Sequence, residues 1–194
     1  FPVPPNALLD MAVMFVGEII VGSFYGLILR VLISSLQTAG TIASLASSMA
    51  NALIQDPIAE QQSSTISGFL LTIGVVLIFV TDMHHLMLRA LLETYAMFEP
   101  GQPLPFGDFA DTMGRQVADS FALGLQMAAP FVVIGLTYYI GLGLLGRLMP
   151  QLPVFFFGLP LQITLQLFVF TITLSGIMIA FIQTFETKVY RFIP

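Results

Sequence analysis

The side chains that could bind a metal ion are concentrated at one place in this sequence. His84 and His85 are its two histidines, and Asp82 precedes the second of them by three residues. Neighbouring side chains on a helix point about 100° apart, so we expect the two histidines not to hold one ion together. The absence of cysteine excludes thiolate metal sites and disulfides. The pattern predicts a solvated helix end here, with no metal site and no cofactor.

Proton transfer and catalysis have little support in the sequence. Glu18 lies in an otherwise apolar stretch, and an ionisable group at membrane depth is a candidate proton relay. A relay needs further titratable groups on other apolar stretches, and those stretches carry none, so we interpret Glu18 as facing a subunit interior or lying beyond lipid. The sequence contains no nucleophile–base pair, no glycine-rich phosphate loop and no paired carboxylates. It predicts a protein that is not an enzyme.

The composition identifies the environment in which these residues lie. Hydrophobic residues make up 57% of the 194 residues and charged residues 9%, with a mean hydropathy of +0.94. Soluble domains carry about 25% charged residues, and a chain of this length cannot bury so much apolar surface within itself. We therefore predict an integral membrane protein. Because the sequence contains no basic run, it also predicts no nucleic-acid binding.

Long uncharged stretches predict an all-α fold. We expect four long helices, at about residues 6–50, 64–98, 108–149 and 154–192. At about 1.5 Å per residue, the third would be about 60 Å long, which is about twice the hydrocarbon thickness of a bilayer. Its amphipathic first part is therefore expected to project beyond lipid.

The helices group into one helical membrane domain made of two hairpins. Residues 1–98 form the first hairpin, 99–107 a proline-rich linker, and 108–194 the second hairpin. Since the chain opens with Phe1 rather than Met, in FPVPPN, we expect a further portion of the protein upstream. The positive-inside rule assigns the cationic helix ends to the cytoplasm and the 51–65 loop to the exported side.

A stiff apolar corner joins the last two helices, with the sequence PQLPVFFFGLPLQI at 150–163. Pro150 ends one helix because proline lacks an amide donor and disfavours helix at the residue before it. Pro153 suits the first turn of the next helix, and Pro160 is expected to kink it. Three consecutive phenylalanines point in different directions around that helix, which suits contact with other chains or lipid. The predicted hairpin tip comprises Arg147, Pro150, Gln151, Pro153, Phe155, Phe156, Phe157, Gly158 and Pro160.

Small residues predict where helices approach closely. Gly22 and Gly26 form a small-xxx-small pair, as do Gly124 and Ala128. Segment 38–50, TAGTIASLASSMA, surrounds its helix with small polar side chains. Such a helix suits tight packing in a protein interior or a water-filled lumen better than contact with lipid.

Residues 141–163, GLGLLGRLMPQLPVFFFGLPLQI, resemble the signature of the FliR family of flagellar export-gate proteins. Segments 17–29 and 37–40 and the pair Asp56-Pro57 fall in the order and spacing of that family. The family commonly has other residue types at a few of these positions, and related injectisome proteins usually carry a Ser-Met-Pro-like element where this chain has Gly-Leu-Pro. The resemblance therefore favours the flagellar branch. The positions that depart from the family are Asn51, Ile54 and Pro153. The resemblance also implies two further hydrophobic helices upstream of Phe1.

The resemblance implies a role in flagellar type III secretion. Members of the family join several copies of FliP and FliQ in a helical hetero-oligomer that forms the entry portal for unfolded rod, hook and filament proteins. It also implies neighbouring FlhB and FlhA, contact with lipid, and a location in the bacterial inner membrane at the flagellar basal body. A loop of the family's proteins plugs the closed channel, and it corresponds to residues 47–63 here. The implied plug residues are Met49, Asn51, Leu53, Ile54, Gln55, Asp56 and Pro57.

Three alternatives remain open from the sequence. A secondary transporter subunit would show inverted repeats with polar sites at the bilayer midplane, and no convincing repeat is visible. A purely structural membrane scaffold would tolerate free alteration of the 47–63 loop. An injectisome counterpart of the same family would export other substrates by the same architecture.

Overall fold

The computed structural model describes residues 8–48, 53–55, 62–98, 104–149 and 154–191. These residues form five helices and two short strands, and the predicted all-α membrane fold is confirmed. The elements, in chain order, are α1 (Leu8–Ala46), β1 (Leu53–Gln55), β2 (Gln62–Ser64), α2 (Thr65–Val80), α3 (Met83–Met97), α4 (Phe106–Leu148) and α5 (Val154–Tyr190).

Three of these helices are long and apolar enough to cross a membrane. The spans are Met11–Ala46, Phe106–Leu148 and Gly158–Tyr190, and α2 with α3 would form a fourth if this bent pair is counted as one span. Their outward faces carry large exposed hydrophobic side chains, such as Leu136 and Phe168. The fold therefore presents apolar surface to lipid or to other chains, as the composition predicts.

The predicted single helix over 64–98 is wrong in one respect, because it breaks between α2 and α3 with a bend of 76°. The Thr81 hydroxyl donates to the Leu77 carbonyl at 2.7 Å, and the Thr81 amide donates to the same carbonyl. Asp82 then adopts φ 58, a left-handed conformation that aspartate tolerates better than most residues. The chain turns at this residue and starts α3 in a new direction.

The core lies where α1 crosses the other helices. Leu32 and Leu36 of α1, Leu70 of α2, and Phe131 and Phe181 from the second hairpin are almost fully buried. Helix α1 packs mainly against α4 and α2, while α5 packs against α4. This arrangement makes α1 the central helix among the described residues.

Glycine permits the closest of these approaches. A Cβ at Gly124 of α4 would lie 2.8 Å from the Thr38 Cβ and 3.0 Å from the Ser35 carbonyl oxygen of α1. The predicted close packing is thus confirmed at Gly124, and Ala128 is fully buried one turn further along α4. By contrast, a Cβ at Gly22 or Gly26 would meet nothing within 4 Å among the described residues. Helix packing at this pair stays a prediction.

Candidate functional site

The C-terminal end of α1 is built from small side chains and leads directly into the segment that the sequence analysis predicts to be a plug. Ala39, Gly40, Ala43 and Ser44 are buried on its inner face. The Ser44 hydroxyl donates to the Thr41 carbonyl at 2.8 Å. Because the Ser44 hydroxyl finds its hydrogen-bond acceptor within α1, it can be buried against another helix without a partner there. This face can therefore contain polar residues and still pack closely.

The two short strands form an antiparallel pair next to this end of α1. Leu53 faces Ser64, Ile54 faces Ser63, and Gln55 faces Gln62. The sequence predicted a polar loop here without regular structure, so the strand pair is an addition to that prediction. It places the start and the end of the loop side by side.

The end of the loop is fixed to α1 by Ser64, Ser67 and Gly40. The Ser64 hydroxyl caps α2 by accepting from the Ser67 amide at 3.1 Å, and donates to the Gly40 carbonyl at 3.3 Å. The Ser67 hydroxyl donates to the Gln37 carbonyl at 3.1 Å. A Cβ at Gly40 would lie 2.7 Å from the Ser67 backbone nitrogen. The backbones of α1 and α2 are thus in direct contact at this anchor.

The start of the loop is held differently, by side chains from the second hairpin. The Gln162 amide nitrogen of α5 donates to the Ala46 carbonyl at 3.1 Å, which satisfies an otherwise unpaired group at the end of α1. The Ser48 hydroxyl donates to the Gln162 amide oxygen at 3.2 Å and lies 2.6 Å from the Tyr139 hydroxyl of α4. Since the Ser48 proton is used on Gln162, the Tyr139 hydroxyl is the donor to Ser48.

One turn further along α5, Gln166 makes the corresponding contact with α4. Its amide nitrogen donates to the Phe131 carbonyl at 3.1 Å, while its amide oxygen is buried and has no partner among the described residues. Gly135 allows α1 to approach here, because a Cβ at that position would lie 2.9 Å from the Ala46 carbonyl oxygen and 3.2 Å from the Gln166 amide nitrogen. Three helices therefore meet at the start of the loop.

The predicted plug residues lie in this loop, and the structure describes part of it. Leu53, Ile54 and Gln55 form β1. The other predicted plug residues lie outside the described residues, namely Met49, Asn51, Asp56 and Pro57. Their sealing role stays a prediction.

The predicted hairpin tip lies between α4 and α5, as the prolines indicated. Arg147 is exposed in the last turn of α4 and Phe156 is 78% exposed in the first turn of α5. Gly158 is buried, and its carbonyl accepts from the Tyr138 hydroxyl at 2.6 Å. Helix α5 continues through Pro160. Phe155 and Phe157 also belong to the start of α5, while Pro150, Gln151 and Pro153 lie outside the described residues.

The candidate metal ligands lie at the break between α2 and α3. The expectation that His84 and His85 diverge is wrong, since their ring centroids are 4.0 Å apart and one ligand atom from each, with one from Asp82, all lie within 4.8 Å of one another. Their position at a helix start, after a left-handed residue, brings the rings together. However, the positive end of a helix dipole disfavours a cation, and Asp82 already faces His85 at 3.6 Å. We interpret Asp82, His84 and His85 as side chains that contact one another at the start of α3, and not as a metal site.

Charged residues elsewhere form one ion pair within α4 and one between α4 and α5. Arg115 donates to Asp111 at 2.6 Å on the amphipathic part of α4, and Lys188 of α5 pairs with Asp119 of α4. Sequence analysis missed the second pair and also missed Tyr139 and Gln162. Gln162 and Gln166, four residues apart in an apolar helix, were the available signal, because buried amides in such a helix must find hydrogen-bond partners.

Comparison with known proteins identifies the family. Residues 1–188 match the model of bacterial export proteins, family 1. The chain is 35% identical over 173 residues to the flagellar biosynthetic protein FliR of Caulobacter vibrioides, covering 89% of this chain and 69% of the relative. It is 29% identical over 191 residues to FliR of Bacillus subtilis, covering 96% and 74%. The secretion system apparatus protein SsaT of Salmonella typhimurium is 26% identical over 152 residues, covering 78% and 59%. The chain therefore belongs to the FliR family of bacterial export proteins, membrane components of the flagellar type III export apparatus.

Proposed function

We propose that this chain forms part of the entry portal of the flagellar export gate and that residues 47–63 close its channel. The portal conducts unfolded rod, hook and filament proteins across the bacterial inner membrane at the flagellar basal body. The chain acts there with several copies of FliP and FliQ and next to FlhB and FlhA. The greater identity to the FliR proteins of Caulobacter vibrioides and Bacillus subtilis, at 35% and 29%, than to SsaT, at 26%, supports flagellar rather than injectisome substrates.

The observation that carries this proposal is the attachment of both ends of the loop to α1. Ser64 binds the Gly40 carbonyl at one end, and Gln162 binds the Ala46 carbonyl at the other. At about 1.5 Å per residue, these two carbonyls are separated by about 9 Å along the helix. The two ends of the loop are thus held close together on α1, as expected for a plug that is attached at both ends.

The chemistry of the surroundings also supports a conduit. Stretch 31–55 contains no charged residue, and the inner face of its helical part presents small side chains. Met49, Leu53 and Ile54 supply apolar bulk for a seal, and Pro57 shapes the turn because it pushes the residue before it away from helix. The exposed apolar faces of α4 and α5 supply the surface for partner subunits and lipid.

The test is the ion conductance of the export-gate complex, isolated on this chain and reconstituted in planar bilayers. Deleting residues 51–60 should raise the conductance of the closed complex, because the seal is removed while both anchors of the loop remain. A control complex in which residues 99–103 are replaced with Gly and Ser should keep the native conductance. Unchanged conductance after the deletion would contradict the plug and favour a structural scaffold.

A further inference from the structure

We propose that Ser48, Tyr139 and Gln162 form a releasable clasp that holds the plug loop in its closed position. The clasp is defined by the hydrogen bonds that link these three side chains to one another and to the Ala46 carbonyl. The proposal rests on the proposed function of residues 47–63, and it adds the residues that determine when the loop moves.

The clasp is a set of hydrogen bonds with a buried side, at Gln162, and an exposed side, at Tyr139. Gln162 is 0% exposed, and its amide nitrogen and amide oxygen both have partners. A buried amide that loses a partner is destabilised by more than the bond contributes when formed. The hydrogen bonds of the three side chains are therefore expected to form and break together, and loss of one side chain weakens the attachment of the other two.

Strain at Ser48 opposes the clasp. This residue has φ 57, a left-handed conformation that is unfavourable for residues with a Cβ. Its hydroxyl bonds to Tyr139 and Gln162 offset this strain in the closed state. Once these bonds break, the weak backbone bond from the Ser48 amide to the Leu45 carbonyl, at 3.3 Å, is what remains to hold the left-handed conformation, and we infer that Ser48 then changes conformation more easily. The strain is thus stored at the second residue after α1, where a change in φ alters the direction in which the chain leaves the helix.

The other anchor of the loop lacks this capacity for release. Gly40 brings the backbones of α1 and α2 into contact at Ser67, and the Ser64 cap belongs to the first turn of α2. Moving this anchor requires two helices to separate, whereas moving Ser48 requires only side-chain hydrogen bonds to break. The loop therefore pivots about Ser64 when its other end is released.

Tyr139 is accessible to a competing group. Its side chain is 45% exposed at the edge of the bundle, whereas Gln162 is fully buried. A hydrogen-bonding group of a neighbouring subunit can take the Tyr139 hydroxyl without entering the core. Tyr139 is therefore the residue at which a partner can break the clasp, whereas Gln162 stays in place in the core.

The test uses Tyr139→Phe in the complete export-gate complex, with Tyr138→Phe as a matched control. Both variants remove one hydroxyl from neighbouring residues of α4, but the Tyr138 hydroxyl binds the Gly158 carbonyl at the hairpin tip. Tyr139→Phe should raise the closed-state conductance by about two- to tenfold, as expected for the loss of one hydrogen bond, while Tyr138→Phe should leave it unchanged. Recovery of the complex with the same subunit composition shows that both variants assemble.

The outcomes separate the clasp from the plug. If deletion of 51–60 raises the conductance and Tyr139→Phe does not, the plug stands and the clasp is wrong. If both phenylalanine variants raise it equally, the effect comes from α4 packing and the clasp is again wrong. If Ser48→Ala combined with Tyr139→Phe opens the gate no further than the more severe single variant, the two residues act through one shared contact. If the deletion has no effect, the plug itself is wrong.

Discussion

At the residue scale, Ser48 combines a stabilising contact with a strained backbone, and two substitutions separate these contributions. Ser48→Ala removes the hydroxyl and keeps the unfavourable φ of 57, whereas Ser48→Gly removes both the hydroxyl and the strain. Glycine relieves a left-handed position by about 1 kcal/mol or more. We therefore expect Ser48→Ala to leak more than Ser48→Gly, by about fivefold, in the same conductance measurement. Equal leakage would show that the backbone of Ser48 stays left-handed in both states.

Single residues also show why part of the site escaped sequence analysis. The prediction that His84 and His85 point apart assumed that they follow Asp82 in a regular helix. Asp82 is left-handed instead, and the chain changes direction just before the two histidines. Tyr139 and Gln162 meet Ser48 from 91 and 114 residues away. A hydrogen bond between residues so distant in sequence depends on how three helices cross, which no local pattern specifies.

At the element scale, the crossing of α1 and α4 is the contact most sensitive to side-chain volume. Gly124→Val should lower the free energy of unfolding by about 1–3 kcal/mol, because overpacking forces the helices apart where a Cβ would already lie 2.8 Å from Thr38. Thermal unfolding of the purified complex in detergent measures this loss. Gly114→Val is the matched control, because it lies on the same helix and a Cβ there would meet nothing within 4 Å. A similar loss in both variants would assign the effect to the helix propensity of valine.

The helices themselves were largely predictable, and their interruptions were not. Long uncharged stretches and the prolines near 150 placed α1, α4 and α5 within a few residues of their ends, because these signals are local. The break between α2 and α3 contains no proline or glycine that would mark it in the sequence. It is formed where the backbone amides of Thr81 and Asp82 donate to carbonyls of the preceding turn. Strands β1 and β2 are three residues each, which is too short for an alternating pattern to appear.

At the scale of the whole molecule, this chain has more apolar surface than its own packing uses. The membrane candidates α1, α4 and α5 each carry rows of exposed aliphatic and aromatic side chains. Charged pairs such as Lys188–Asp119 lie near helix ends rather than at the centres of these rows. The distribution suits a subunit that is enclosed by lipid on some faces and by other subunits on the rest.

Gly22 and Gly26 distinguish these two kinds of face on α1. Both are exposed, and a Cβ at either would meet no atom of the described residues within 4 Å, so a substitution there should leave the fold of this chain unchanged. If a partner helix packs on the pair, alanine should be tolerated and a larger residue should prevent close approach. We expect native mass spectrometry of the complex isolated on this chain to show one copy with several copies of FliP and FliQ. Gly26→Ala should retain this composition, and Gly26→Leu should lose partner subunits. Full recovery of partners with Gly26→Leu would instead assign this face to lipid, because lipid chains accommodate a leucine that a packed helix excludes.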